Sequence, residues 1–218
     1  MTQKSCLERH MRTLLTIGLV WLLGSLSLVQ AQTSQYQAGV HYVELPSAAP
    51  TQEPGKIEVA ELFSYGCGHC FTFEPIIGQW KQGLADDAYF RPVPAFFGGA
   101  WDTLGQLFYT LESMDKLDET HAAVFQAIHN QGQRLTDVSA MTKLLGQYGI
   151  DEDEFRKTWD SAGVTLKINQ AKRLTRAYRA TGVPTLIVNG KYRIEGSMAG
   201  SFEEMLKIAD YLVEQERP

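Results

Sequence analysis

Cys67 and Cys70 are the residues best placed to do chemistry. They stand three positions apart in Phe63-Ser64-Tyr65-Gly66-Cys67-Gly68-His69-Cys70-Phe71-Thr72-Phe73-Glu74-Pro75, between an apolar run and helix-compatible sequence. Two such thiols can form a structural clip, half of a metal site or a reactive pair. A clip between them closes too small a loop to restrict the unfolded chain much. As metal donors they suit Cu(I), but that use needs further soft ligands near Cys67, and none is close in sequence. As a reactive pair they supply what disulfide exchange requires, one exposed thiolate and a second sulfur near enough to resolve a mixed disulfide. On a first helical turn Cys67 is the attacking and attacked sulfur. The free N–H groups and positive end of the helix stabilise its anion, and His69 adds a donor or a positive charge. Cys70, one turn further in, is the resolving thiol.

The elements that must hold this pair are legible around it. Ile57 to Phe63 reads as a strand that ends where the cysteines begin, with a weaker one at His41 to Leu45. Helical sequence follows from about Gly68 to Leu84, then a strand from Tyr89 to Ala95 broken by Pro92 and Pro94. This strand, helix, strand order is a βαβ unit with a right-handed crossover. Thr103 to Met114, Asp118 to Gln131, Asp137 to Tyr148 and Glu152 to Ala162 carry helical apolar spacing. Asp151 with Glu154 is a capping box, and Gly149 stops the helix before it. A longer helix runs from Val164 to Thr181 and stops at Gly182. Thr185 to Ile194 is a hairpin turning at Asn189-Gly190, and Ser201 with Glu204 caps a final amphipathic helix.

The compartment is read from the N-terminus. Lys4, Arg9 and Arg12 precede an apolar run from Leu14 to Val29, and Val29-Gln30-Ala31 offers a small-residue cleavage site. Residues 1–31 therefore read as a secretory signal peptide, with a retained anchor as the alternative. Cys6 leaves with it, so Cys67 and Cys70 are the only thiols of the 187-residue mature chain. The whole chain has 20 basic and 25 acidic residues, a net of −5, and the mature part has 17 and 24, a net of −7. Such a balance argues against a nucleic-acid or anionic-lipid surface. No repeats or low-complexity tracts stand out, and residues 46–55 form the one loop-like linker of note.

Three further features have two readings each. Pro184 is either an ordinary proline opening the hairpin or a cis-proline that exposes the preceding backbone to an extended substrate chain. Glu61 is either an edge residue facing water or a proton acceptor for Cys70, helped by Arg91 on the next strand. Phe96, Phe97 and Trp101 form either the rim of a substrate surface or a hinge. His121 and His129 lie eight apart on one helical stretch and could share a face, but without carboxylate or cysteine spacing they read as solvated or core histidines. No metal is expected.

Taken together, these motifs resemble the DsbA type of periplasmic thiol-disulfide oxidoreductase, over nearly all of Gln32 to Pro218. Cys67-Gly68-His69-Cys70 matches that family's Cys-x-His-Cys centre, and Gly182-Val183-Pro184-Thr185 matches its cis-proline loop. Glu61, six residues before Cys67, matches its buried acid. Typical members have proline where Gly68 stands, and Cys-Gly-His-Cys is also the centre of eukaryotic disulfide isomerases. The resemblance implies an α/β thioredoxin fold made by residues 32–97 and 165–218, with an inserted helical domain at about 98–164. It implies Cys67, Cys70, His69, Pro184 and Glu61 as catalytic residues and Val183 and Gly68 as substrate contacts. No cofactor is implied beyond the redox-active Cys67–Cys70 disulfide. The expected partners are reduced, unfolded exported proteins and a membrane reoxidising partner of the DsbB type, for a monomer in the periplasm. An isomerase or reductase is the competing expectation. Against it, the 25 residues from Gln32 to Lys56 leave no room for the N-terminal dimerisation domain of bacterial periplasmic isomerases.

Overall fold

The computed structural model describes residues 35–218. The signal-peptide expectation and Cys6 lie outside the described residues. In chain order the strands and helices are β1 (Val43–Glu44), β2 (Ile57–Phe63), α1 (Gly68–Trp80), β3 (Ala88–Pro94), α2 (Ala100–Ser113), α3 (Leu117–His129), α4 (Val138–Leu145), α5 (Glu152–Trp159), α6 (Ala162–Ala177), β4 (Thr185–Val188), β5 (Tyr192–Glu195), α7 (Gly196–Ala199) and α8 (Phe202–Glu216). None of these helices is long and apolar enough to cross a membrane.

The five strands form one mixed sheet in the order β1-β5-β4-β2-β3, with β2 and β3 parallel and the other neighbours antiparallel. All seven residues of β2 are buried, as befits a strand covered on both faces. Its alternation divides the interior. Ile57 and Val59 join Phe73 and Ile77 of α1 and the apolar stripe of α8. Ala60 and Leu62 face the opposite way, into the core shared with α2 to α6. β3 stays continuous through Pro92 and Pro94 because it is an edge strand, where a missing N–H costs no ladder bond.

The helices between β3 and β4 share one core with Ala60, Leu62, Val93 and Ile187 of the sheet. Side chains cap three of these helices: Asp151 Oδ1 accepts from Glu154 N at 2.9 Å, as the sequence leads one to expect, and Asp137 Oδ1 from Ala140 N at 2.9 Å and Ser161 Oγ from Val164 N at 3.2 Å, caps the sequence reading did not assign. Asn189 and Gly190 both take positive φ, 49° and 65°, the geometry of a type I′ hairpin turn. A Cβ on Gly190 would lie 2.1 Å from the Ala49 carbonyl oxygen, so the turn closes against the linker.

One helix end differs from expectation. α6 stops at Ala177, short of Gly182. Tyr178 is drawn fully into the core and Arg179 takes a left-handed φ of 50°. Arg193 Nη1 reaches over from β5 to donate to the carbonyls of Tyr178 and Arg179. An arginine from β5 thus does the capping that the sequence reading gave to a glycine.

Candidate active site

The site is built where β2 hands the chain to α1. Cys67 is the N-cap of α1, with φ −95° and ψ 118°, and its Sγ accepts from Cys70 N at 3.4 Å. An oxygen from Ser, Thr, Asp or Asn ordinarily does this job; here a sulfur does, beside the other unpaired N–H groups of the first turn. Cys67 is partly exposed, Cys70 is 1% exposed, and both are free thiols. The two sulfurs are thereby made unequal. The hydrogen bond from the Cys70 thiol outweighs burial and, with the N–H groups of Cys70 and His69 and the nearby His69 ring, lowers the Cys67 pKa to about 6. Burial first, then the bond to Cys67 and the charges of Glu61 and Cys67, push the Cys70 thiol up.

Facing the sulfurs is the loop before β4. The Val183–Pro184 peptide bond is cis, and the Val183 carbonyl oxygen lies 3.6 Å from Cys67 Sγ. Thr185 Oγ1 donates to Gly182 O at 2.9 Å, which pins the loop. Beside it opens a cavity of about 540 Å³ lined by His69, Val183, Pro184, Glu195 and Phe202 among others. Gly68 is exposed, with open space where a Cβ would stand. The structure therefore brings Cys67, Cys70, His69, Val183 and Pro184 together around one sulfur.

Glu61 is 2% exposed on β2, an interior strand of the sheet, so the edge reading falls. It lines a second cavity, of about 490 Å³, with Glu74, Lys81 and His121. Burial, then the charges of Glu74 and Cys67, raise its carboxyl well above the usual range, with Lys81 opposing. The expected help from Arg91 is not there. In the parallel register Arg91 stands opposite Ala60 and Glu61 opposite Pro92, so the two side chains lie on opposite faces of the sheet. Arg91 Nη1 instead meets Glu58 Oε2 at 3.3 Å.

The aromatic cluster resolves into two parts. Phe96 stacks on Tyr109 at 6.4 Å and fills the space over Gly105, so it belongs to the packing of α2. Phe97 is 42% exposed and edges against Trp101 at 5.3 Å, leaving it on the surface. Residues that sequence reasoning passed over also reach the site. His121 and His129 on α3 both bond Tyr65, two residues before Cys67. Their eight-residue spacing is the available signal, and it leads no further than solvated or core histidines in place of a metal site.

A cysteine pair at the N-terminus of the first helix of a βαβ unit, set against a proline loop before an antiparallel hairpin, defines a dithiol protein of the thioredoxin fold. Comparison with known proteins narrows this. The family model for the DSBA-like thioredoxin domain matches residues 89–206. A thiol:disulfide interchange protein DsbA of Pseudomonas aeruginosa is 46% identical over 207 residues, covering 95% of this chain and 98% of the relative. One from Pseudomonas syringae is 48% identical over 204 residues, 93% of this chain and 95% of the relative. The crystal structure of Pseudomonas aeruginosa DsbA superposes with a TM-score of 0.81 at 48% identity, covering 85% of this chain and 96% of that one. The oxidoreductase DsbA from Xylella fastidiosa gives 0.79 at 33% identity, covering 84% and 98%. The chain belongs to the DsbA-like thioredoxin family and is a thiol-disulfide oxidoreductase.

Proposed function

We propose that the chain works in the periplasm as a monomeric dithiol oxidase, giving its Cys67–Cys70 disulfide to newly exported proteins. A substrate thiolate attacks Cys67 Sγ and the Cys67–Cys70 bond breaks. The substrate is then held by a mixed disulfide and Cys70 leaves as a thiolate that takes up a proton. A second substrate thiolate attacks the substrate sulfur of the mixed disulfide and releases the Cys67 thiolate. The substrate dithiol has lost two electrons and two protons; the pair has gained the electrons. A membrane partner of the DsbB type then accepts them.

The observation that carries this reading is the inequality of the two sulfurs. Cys67 is reachable and sits among donors that favour its anion, so it is both the sulfur a substrate meets and the better leaving group. Cys70 is buried and favours the protonated form. Glu61, buried and raised in pKa, is suited to give Cys70 that proton and to take it back when the pair is reoxidised. Val183 beside Cys67 and the adjoining cavity suit an extended peptide.

Cysteine replacement tests the roles. Cys70→Ser is expected to accumulate mixed disulfides when its Cys67 thiolate attacks disulfide-bonded protein substrates and expels one substrate sulfur, and Cys67→Ser to trap almost none, as read on non-reducing gels. Equal trapping by both variants would refute the division of labour.

A further inference from the structure

The face of α3 that meets the active-site turn carries His121, Phe125 and His129, spaced four residues apart, so their three rings form one stripe along the helix. The stripe lies on Tyr65. His129 Nε2 is 2.8 Å from the Tyr65 carbonyl oxygen; a carbonyl only accepts, so this nitrogen carries the hydrogen. His121 Nδ1 is 2.7 Å from Tyr65 Oη, and its Nε2 is 3.4 Å from Glu74 Oε2 on α1. The carboxylate likewise takes a hydrogen from Nε2, and in the tautomer with that hydrogen on Nε2 the other nitrogen, Nδ1, receives the Tyr65 hydroxyl. Phe125 edges the Tyr65 ring at 5.0 Å and 72°. The His129 ring stacks on Phe71, the neighbour of Cys70, at 4.9 Å and 13°.

Tyr65, 1% exposed, is thus held at both ends, main-chain oxygen and hydroxyl, by a helix of the insertion. The turn it sits in sets where Cys67 stands. Gly66 N donates to Ser64 Oγ at 3.2 Å and Cys67 N to Ser64 O at 3.0 Å, and Cys67 then begins α1. The contact from Cys70 N to Cys67 Sγ, 3.4 Å, joins the end of this turn to the first turn of α1, so where the turn stands decides whether the sulfur meets that N–H.

We propose that His121 and His129 are positioning residues for disulfide exchange. Through Tyr65 they hold the Ser64 to Cys67 turn where the Cys70 N–H and thiol reach Cys67 Sγ, and so set how strongly the pair oxidises. The inference rests on the thiol-disulfide reading above. Its sign follows from which form uses those donors. The Cys67 anion of the dithiol form depends on them, whereas in the disulfide form Cys67 carries no charge for them to stabilise. Loosening the turn therefore weakens the dithiol form and makes the pair less oxidising.

The test is the equilibrium of the purified protein with reduced and oxidised glutathione, alongside the ultraviolet titration of the Cys67 thiolate. His121→Leu and His129→Leu are expected to move the equilibrium toward the protein disulfide by about threefold to tenfold, the scale of one net hydrogen bond, and to raise the Cys67 pKa above its value of about 6. His129→Gln, which keeps an N–H donor for the Tyr65 carbonyl, is expected to stay near wild type. Tyr65→Phe keeps the buried ring and removes only the hydroxyl, so it gives a folded check on the His121 arm and should shift the equilibrium the same way. Leucine variants that melt at lower temperature but leave the glutathione equilibrium unchanged would make the histidines merely structural and overturn the proposal. So would a His129→Gln variant that shifts as far as His129→Leu, or an unshifted Tyr65→Phe. A wild-type protein that does not exchange with glutathione would remove the thiol-disulfide reading itself, and this inference with it.

Discussion

Glu58 and Glu61 sit three residues apart on the same interior strand, both buried, and the sheet puts them to opposite uses. Glu58 faces the side of Ala60, where its Oε2 takes hydrogen bonds from Tyr89 Oη at 2.6 Å and Gln52 N at 3.0 Å and pairs with Arg91 at 3.3 Å. Its other oxygen has no hydrogen-bond partner among the described residues. Glu61 faces α1 and the cysteines, with no hydrogen bond or ion pair among the described residues and a carboxyl pushed well up by burial. A buried charge with partners ties strands to linker; a buried carboxyl without them is a standing cost that a fold keeps where a proton has to move. The contrast teaches that burial alone does not mark a functional acid. What marks it is burial without an arginine or other ion-pair partner, next to a group whose protonation changes in the reaction.

The contrast can be broken most forcefully at Glu58. Glu58→Ala leaves the buried Arg91 guanidinium unpaired and is expected to destabilise the protein by about 3–5 kcal/mol, with disulfide exchange of the surviving folded molecules little changed. Denaturant melts and a glutathione exchange assay read the two effects separately. A variant as stable as wild type would mean that the Glu58 and Arg91 pair contributes nothing.

Glu61→Gln should act in the opposite sense on stability. Because the folded carboxyl titrates above its unfolded value of about 4.5, the folded state binds more protons than the unfolded state between those two values. Its stability therefore falls as pH rises through that window. Glutamine removes that loss, so the variant is expected to be more stable than wild type at neutral pH by about 1–3 kcal/mol, the usual cost of an unsatisfied buried group. The two proteins should converge below pH 4.5. At the same time, departure of Cys70 as the mixed disulfide forms on Cys67 should slow. A loss of stability with unchanged exchange would make Glu61 a structural residue like Glu58.

Much of this was legible in the sequence because local chemistry decides it. The strand read over Ile57 to Phe63 ends at the residue where β2 ends, and Asn-Gly fixes the hairpin turn through φ alone. A cysteine pair after a strand and before a helix has few places to be. Long-range partnerships were not legible. Arg91 was assigned to Glu61 because the two strands are neighbours, yet the register that sends Arg91 to Glu58 depends on which residues of β2 and β3 stand opposite each other. The end of α6 depends on an arginine from β5. The bonds of His121 and His129 to Tyr65 span 56 and 64 residues, and no local pattern encodes which oxygen a half-buried histidine meets.

The stability of the reduced and oxidised forms, compared by denaturant melts across pH, tests most directly whether the fold poises Cys67–Cys70 to oxidise. The Cys67 pKa is depressed in the folded dithiol form, from 9.0 to about 6. Its contribution is therefore complete above the unfolded value and is lost as pH falls toward the folded one. The reduced form should be the more stable at pH 9, by about 2 kcal/mol once solvent screening of the half-buried thiolate is allowed for. The gap should close on acidification toward pH 6, and Cys67→Ser should show no such pH dependence. An oxidised form that is the more stable at neutral pH would make the pair a structural clip or a reductant, and would contradict an oxidase.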